Sequence, residues 1–216
     1  MSTAMARPTK HDETTREALL DAAESLLAAG GPEAVSVRSV ADAAGVSTRA
    51  VYSVLGSKSG LMGALAARGF YRLAGRVNSL PVTDDPLADL AAAGPHGFRK
   101  FALERPHLFR ITYDQISEET YAQPESYPAL FASFSALASR ITRAQDAGLL
   151  AKRPVVELVF TYHSLCCGLA ANELSMQAPP VGANFWKVAQ GVDFAALWEL
   201  ALAALVRGLA GELSEP

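Results

Sequence analysis

Cysteine is almost missing from this 216-residue chain, and the two it has, Cys166 and Cys167, are neighbours. Adjacent cysteines rarely bridge and cannot staple a loop-rich fold, so the sequence predicts a chain held by its core in a reducing compartment, the cytoplasm. The four histidines, His11, His96, His107 and His163, are scattered with no metal-ligand spacing, so neither a metal nor any other cofactor is expected. Gly56-Ser57-Lys58-Ser59-Gly60 has the outline of a Gly-x-Ser-x-Gly nucleophile turn, but Lys58 stands where the nucleophile belongs. The Gly-Lys order of a phosphate-cradling loop is also lacking. An enzyme is therefore the weakest reading. No early stretch has the order of a secretory signal, and no uninterrupted apolar run of about 18 residues suggests a membrane span, so no membrane partner is expected. A net charge of only −3 argues against a protein that coats nucleic acid regardless of sequence.

What the chain has in quantity is alanine and leucine, within a composition that is 50% apolar. Both are strong helix formers with no polar group to satisfy, which predicts an all-α fold with a core large enough for one or two domains. Charge is unevenly placed: residues 1–76 hold nine Lys/Arg against seven Asp/Glu, and residues 77–216 hold ten against fifteen. A modestly basic head on an acidic body suits a local patch of phosphate contacts. Residues 1–10 read as an arm whose Arg7 and Lys10 can add to that patch. A helix is expected over 14–29 with Leu19, Ala22, Ala23, Leu26 and Leu27 inward, and Gly30-Gly31-Pro32 ends it.

Residues 36–56 read as two short helices joined by a tight turn. Ser36 can cap the first near Ser39, and Val37, Val40, Ala41 and Ala44 recur at helical spacing, leaving Arg38, Ser39 and Asp42 outward. Gly45 stops this helix, because the left-handed conformation common just past a helix end is cheap only for glycine. Ser47 caps the second helix, whose inner face is Ala50, Val51 and Val54. That leaves Ser47, Thr48, Arg49, Tyr52 and Ser53 outside, at the end that contacts base edges in a helix-turn-helix. Arg49 can pair with both acceptors of a guanine, and the hydroxyls can meet phosphates or bases. An ordinary helical hairpin with a solvated polar face fits the same residues. A longer helix follows from Lys58 to residue 78, with Leu61, Leu65, Ala66, Phe70, Leu73 and Ala74 inward. Its amino end offers N–H groups and a positive dipole to a phosphate.

The run Tyr52-Ser53-Val54-Leu55-Gly56-Ser57-Lys58-Ser59-Gly60-Leu61, together with the helix-turn-helix before it, resembles the TetR family of transcriptional regulators over residues 14–76. The resemblance implies that Tyr52 and Lys58 hold operator phosphates while Ser47, Thr48 and Arg49 lie at the groove; Arg38 and Ser53 complete the DNA-contacting candidates. Val54-Leu55 stands where the family often has His-Phe, and Ser59-Gly60 is weaker helix-starting material than the acidic residues common there. Residues 1–58 are expected to form the arm and a three-helix DNA-binding domain. The helix over 59–78 connects it to a larger helical domain, 79–216, for ligand binding and dimerisation.

In that second part, helices are expected at about 86–104, interrupted at Gly94-Pro95-His96-Gly97, then 106–116, 127–147, 155–176 and 191–211, with 177–190 an irregular connection. The segment Glu104 to Arg110, with Tyr162-His163 and the run from Trp198 to Leu209, resembles the WHG-type regulatory branch of the family, although Phe160 and His163-Ser164 replace its Trp and His-Gly. The last two helices are apolar nearly all round. Leu158, Leu165 and Leu169 with Trp198, Leu202 and Leu205 belong either to a large core within one chain or, as the resemblance implies, to a four-helix interface between two copies. Twofold pairing would set two reading helices about one turn of DNA apart on a palindromic operator. Pocket candidates are Phe109, Tyr113, Phe134, Tyr162, His163 and Cys166, each of which also fits plain core. The sequence thus predicts a homodimeric repressor released by a small apolar or aromatic effector. The alternative is a regulator without a ligand or gated by a partner protein, an activator included.

Overall fold

The computed structural model describes residues 10–114, 118–177 and 191–211, so the arm with Arg7 and most of the 177–190 connection lie outside it. No strand occurs among the described residues, and the expected all-α architecture is what they form. Three helices make the head: α1 (Lys10–Gly30), α2 (Val37–Ala44) and α3 (Thr48–Leu55). Their shared core is Leu19, Leu20, Ala23 and Leu27 of α1 with Val40, Ala41, Val51 and Leu55, all buried. Burying each large side chain contributes about 1.5–3 kcal/mol, enough to hold helices too short to persist alone.

Helix α4 (Lys58–Ser79) packs on α1 and α3 at its start and along the body for the rest of its length. Its inner side is buried from Leu61 to Val77. Its carboxyl end is fixed by a buried arginine: Arg140 donates to the carbonyls of Val77 and Leu80, each at 2.9 Å. This satisfies acceptors that a helix end otherwise leaves orphaned and sets a cation at the negative end of the dipole. Midway, α4 touches the body so closely at Gly69 that a Cβ there would overlap the Thr112 hydroxyl.

The body begins with α5 (Pro86–Ala93), capped by Asp85, whose carboxylate accepts from the N–H groups of Leu87 and Ala88 at 3.1 and 3.0 Å. A wide π-type turn, Gly94–Arg99, leads into α6 (Lys100–Glu104). The expected interruption falls there, because Pro95 has no N–H for an α-helical bond and its ring crowds the preceding turn. Helix α7 (Pro106–Phe109) opens into a second wide turn, Arg110–Asp114, where the sequence reading ran one continuous helix. A short α8 (Glu118–Tyr121), unforeseen, precedes α9 (Ser126–Asp146), α10 (Val155–Gln177) and α11 (Phe194–Gly211).

By length and composition α10 and α11 are apolar enough to cross a bilayer, which the sequence reading did not expect. Each instead lays one stripe into the body, and that stripe corrects the expected dimer residues. Leu158, Leu169, Trp198 and Leu202 are buried within the chain rather than offered to a second copy. The Trp198 indole donates to Glu173 at 2.9 Å, and the same carboxylate accepts from Arg99. Leu165 and Leu205 are half-buried against the same core. A helix apolar on every side carries no periodic contrast to say which side faces in. The exposed sides carry Val156, Glu157, Phe160, Thr161, Ser164, Gly168, Ala171 and Asn172 on α10, and Ala195, Ala196, Glu199, Leu200, Ala204, Arg207 and Gly208 on α11.

The contact at Gly69 gives a paired test. Gly69→Ala should cost about 1–3 kcal/mol, lowering the melting temperature by roughly 3–10 °C, because Thr112 must be displaced. Gly75→Ala, on the same helix with open space around it, should raise stability by up to about 1 kcal/mol through helix propensity alone. Calorimetric melting that showed two equal shifts would contradict the close approach.

Candidate nucleic-acid interface and effector cleft

Local chemistry builds the head's outer face. The Ser36 hydroxyl accepts from Ser39 N–H at 3.0 Å while the Ser39 hydroxyl accepts from Ser36 N–H at 2.9 Å, a capping box with serine in both places. Ser39, expected outward, is drawn half into the fold by this exchange. Gly45 adopts φ 67° and ψ 31°, the left-handed conformation, and the next residue's N–H returns to Ala41 O at 2.9 Å. Ser47 caps α3 through Ala50 N–H at 3.2 Å.

Helix α3 then divides cleanly. Val51 and Leu55 are buried, Ala50 and Val54 half-buried, and Thr48, Arg49, Tyr52 and Ser53 form one exposed stripe at spacings of three and four. Tyr52 is 54% exposed. Ser47, Arg38 and Lys58 are exposed beside it. Arg38 lies 4.0 Å from Asp42, whereas Arg49 and Lys58 form no ion pair among the described residues. Lys58 begins α4, where Ser57 accepts from Gly60 N–H at 3.0 Å. Gly60, weak as a helix starter, is what the turn requires, since a Cβ there would run into Leu55 O. The result is a fixed helix end with hydroxyls, a phenol and two unneutralised cations facing water.

In the body, the expected pocket residues meet, but mostly as packed rings. Tyr113 lies 5.3 Å from Phe109 and 5.2 Å from His163, and His163 lies 5.1 Å from Phe134, centre to centre. Tyr162 and Cys166 are fully buried, the phenol donating to Leu90 O at 2.7 Å. Burial pushes both groups well above their ordinary pKa. Open space lies to one side, in a cleft of about 170 Å³ between the Arg110–Asp114 turn and α10. Phe109, Arg110, Tyr113, Cys167, Leu174 and Ser175 line it. Of the six predicted pocket residues only Phe109 and Tyr113 do so. Cys167, not Cys166, reaches the cleft, its sulfur 3.6 Å from a ring nitrogen of His163. Arg110 was missed, although one cation amid Leu108, Phe109 and Ile111 was the available signal.

Residues 19–65 match the family model described as bacterial regulatory proteins, tetR family, and residues 90–205 match the tetracyclin repressor-like C-terminal domain. The chain belongs to the TetR family. It is a transcriptional regulator of that family, with its DNA-binding helix-turn-helix in α2 and α3. No curated protein is similar in sequence at a significant level. A protein of unknown function from Rhodococcus sp. superposes with a TM-score of 0.74 at 23% identity, covering 97% of this chain and 100% of its own. The transcriptional regulator FadR from Bacillus subtilis, solved with stearoyl-CoA, superposes with a TM-score of 0.65 at 18% identity, over 89% of this chain and 98% of that one. RolR, solved with resorcinol, has TM-score 0.62 and 19% identity, over 94% and 96%. At such identities the likeness speaks for the fold.

Within this TetR body, His163 supplies a pH test. Its surroundings of rings push its pKa down to about 4. A histidine lowered in the folded state keeps its full contribution above the unfolded pKa and loses it as pH falls from about 6.5 toward 4, because the unfolded chain takes the proton first. At pH 5 the loss should be about 2 kcal/mol. The urea midpoint should drop further between pH 7 and pH 5 in wild type than in His163→Phe. Equal drops would place the histidine in water.

Proposed function

We propose that the protein is a homodimeric repressor that grips a palindromic operator through α3 and releases it when a small apolar or aromatic molecule binds the body. The observation that carries the reading is the division of α3: a buried Val51–Leu55 side and, opposite, the uncommitted Thr48, Arg49, Tyr52 and Ser53 stripe behind the Ser47 cap. Arg49 reads a guanine, Ser47 and Thr48 reach the groove, and Tyr52, Ser53, Arg38 and Lys58 hold phosphates, the last aided by the α4 dipole. Residues 1–58 act as the DNA-binding unit, the 59–78 part of α4 as connector, and 79–216 as the ligand-binding and dimerising unit in a cytoplasmic protein.

The dimer uses the open sides of α10 and α11. There Ser164, Gly168, Ala196, Ala204 and Gly208 are small, so a partner's helices can approach closely around Phe160 and Leu200, which are 53% and 63% exposed, with Glu157, Thr161, Asn172, Glu199 and Arg207 as polar neighbours. That RolR was solved with resorcinol and FadR with stearoyl-CoA supports an effector here. One observation favours the other reading, a regulator without a ligand: the middle of the body is filled by the Tyr113, Phe134 and His163 rings.

Selection of binding sites from random duplexes by the purified protein tests the proposal. Wild type should enrich a palindrome with half-sites about one helical turn apart. On that sequence Arg49→Ala should cost about 1–3 kcal/mol and relax choice at one base pair. Lys58→Ala should weaken binding to all duplexes and reduce the salt slope by about 1. An Arg49→Ala protein with unaltered base preference would remove the reader from this scheme.

A further inference from the structure

The cleft beside the Arg110–Asp114 turn combines features that together specify a ligand class. Its two ring-bearing walls, Phe109 and Tyr113, are tilted by 35° to each other, and Leu174 and Ala171 of α10 close the far side. A volume of about 170 Å³ sets the size. An apolar cavity of about 150 Å³ holds one benzene, so this cleft takes a single ring with a short substituent and has no room for a long acyl chain.

Arg110 sets the charge. Among the described residues, the arginines of the body that are drawn out of full exposure otherwise all have work. Arg99 holds Glu173, Arg140 holds the carbonyls of Val77, Leu80 and Asp89, and Arg143 holds Asp89. Arg110 is likewise half-buried, yet no carboxylate or carbonyl among the described residues meets it. Its guanidinium keeps contact with water and stands uncommitted at the cleft, and a planar carboxylate is the group that matches its fork with two parallel hydrogen bonds.

We infer that the cleft binds a monocyclic aromatic carboxylate, ring against Phe109 and Tyr113 and carboxylate on Arg110. This rests on the effector reading above only for its consequence on DNA. The route to the head is short. The turn that carries Arg110 and Tyr113 into the cleft also carries Thr112, fully buried on α4 at Gly69. An occupant that resets the turn therefore presses on the helix that the head shares.

Cys167 lines the cleft and reports occupancy, while Cys166 is buried. The full-length protein is treated with iodoacetamide, and mass spectrometry follows the adduct at Cys167 with benzoate, phenylacetate or 4-hydroxybenzoate present, and with phenol and benzyl alcohol as uncharged probes. At roughly ten times its Kd, at least one acid should slow alkylation about tenfold, the neutral probes far less. Arg110→Gln should lose the protection and Arg110→Lys keep part of it, with unchanged melting showing that both fold. Protection by phenol equal to that by the acids, protection surviving in Arg110→Gln, or none by any acid would each overturn the inference. Protection of Cys167 with operator affinity unchanged would leave the cleft standing and defeat the effector reading instead. Release of DNA by an acid that leaves Cys167 unprotected would defeat the cleft.

Discussion

The Glu24 carboxylate, on the inner side of α1, is only 7% exposed and is shared by three guanidinium groups. Arg68 and Arg72 of α4 reach it at 3.2 and 2.9 Å, and Arg105, between α6 and α7, also pairs with it. A carboxylate so nearly removed from water is tolerable only with such partners, and removing one side of a buried pair typically costs about 3–5 kcal/mol. Head, connector and body therefore cannot separate without stranding a charge. Arg16 with Glu125, and Arg76 with Glu104, add outer links across the same seam. Because Arg72 and Arg105 keep 37% and 42% of their side-chain exposure, the seam is screened on one side and can shift without breaking.

This arrangement explains why α4 can act as a lever and not a mere tether. Its start lies in the head's core, its middle on Glu24 and Thr112, and its end under Arg140. A displacement at any one station reaches the others through close-packed atoms, which resist compression and favour discrete arrangements. In the twofold dimer proposed above, a small change of tilt at α4 would become a change in spacing between the two copies of α3, which a palindrome of fixed geometry would not tolerate.

Features governed by neighbouring residues were legible in the sequence. Ser36, Gly45 and Ser47 set caps and a turn by chemistry that acts over three or four residues, so both short helices and the outward Arg49 stripe were placed before any tertiary contact was known. Helix faces were legible wherever polar and apolar residues alternate with a clear period, as along α4. That signal vanishes in α10 and α11, so Leu158, Leu169, Trp198 and Leu202 fitted a core within one chain as well as the interface that the family resemblance implied, and they face inward. Of the two wide turns, Gly94–Arg99 was legible as an interruption because Pro95 cannot continue a regular helix, whereas Arg110–Asp114 escaped because its residues would also serve one and long-range packing selects the wider form. Glu24 could have been found. An acid placed four residues after Leu20 on a buried stripe signals a charge with partners elsewhere, and Arg68, Arg72 and Arg76 recur every four residues on the helix that supplies them.

The claim on which most depends is that this shared carboxylate binds the head to the body. Hydrogen exchange in Glu24→Gln, compared residue by residue with wild type, measures it directly, since glutamine keeps the shape and removes the charge. Exchange should quicken across α1, α2 and α3 and the first half of α4 while α10 and α11 keep their protection. Unchanged exchange in the head, or an equal rise throughout the molecule, would contradict the account.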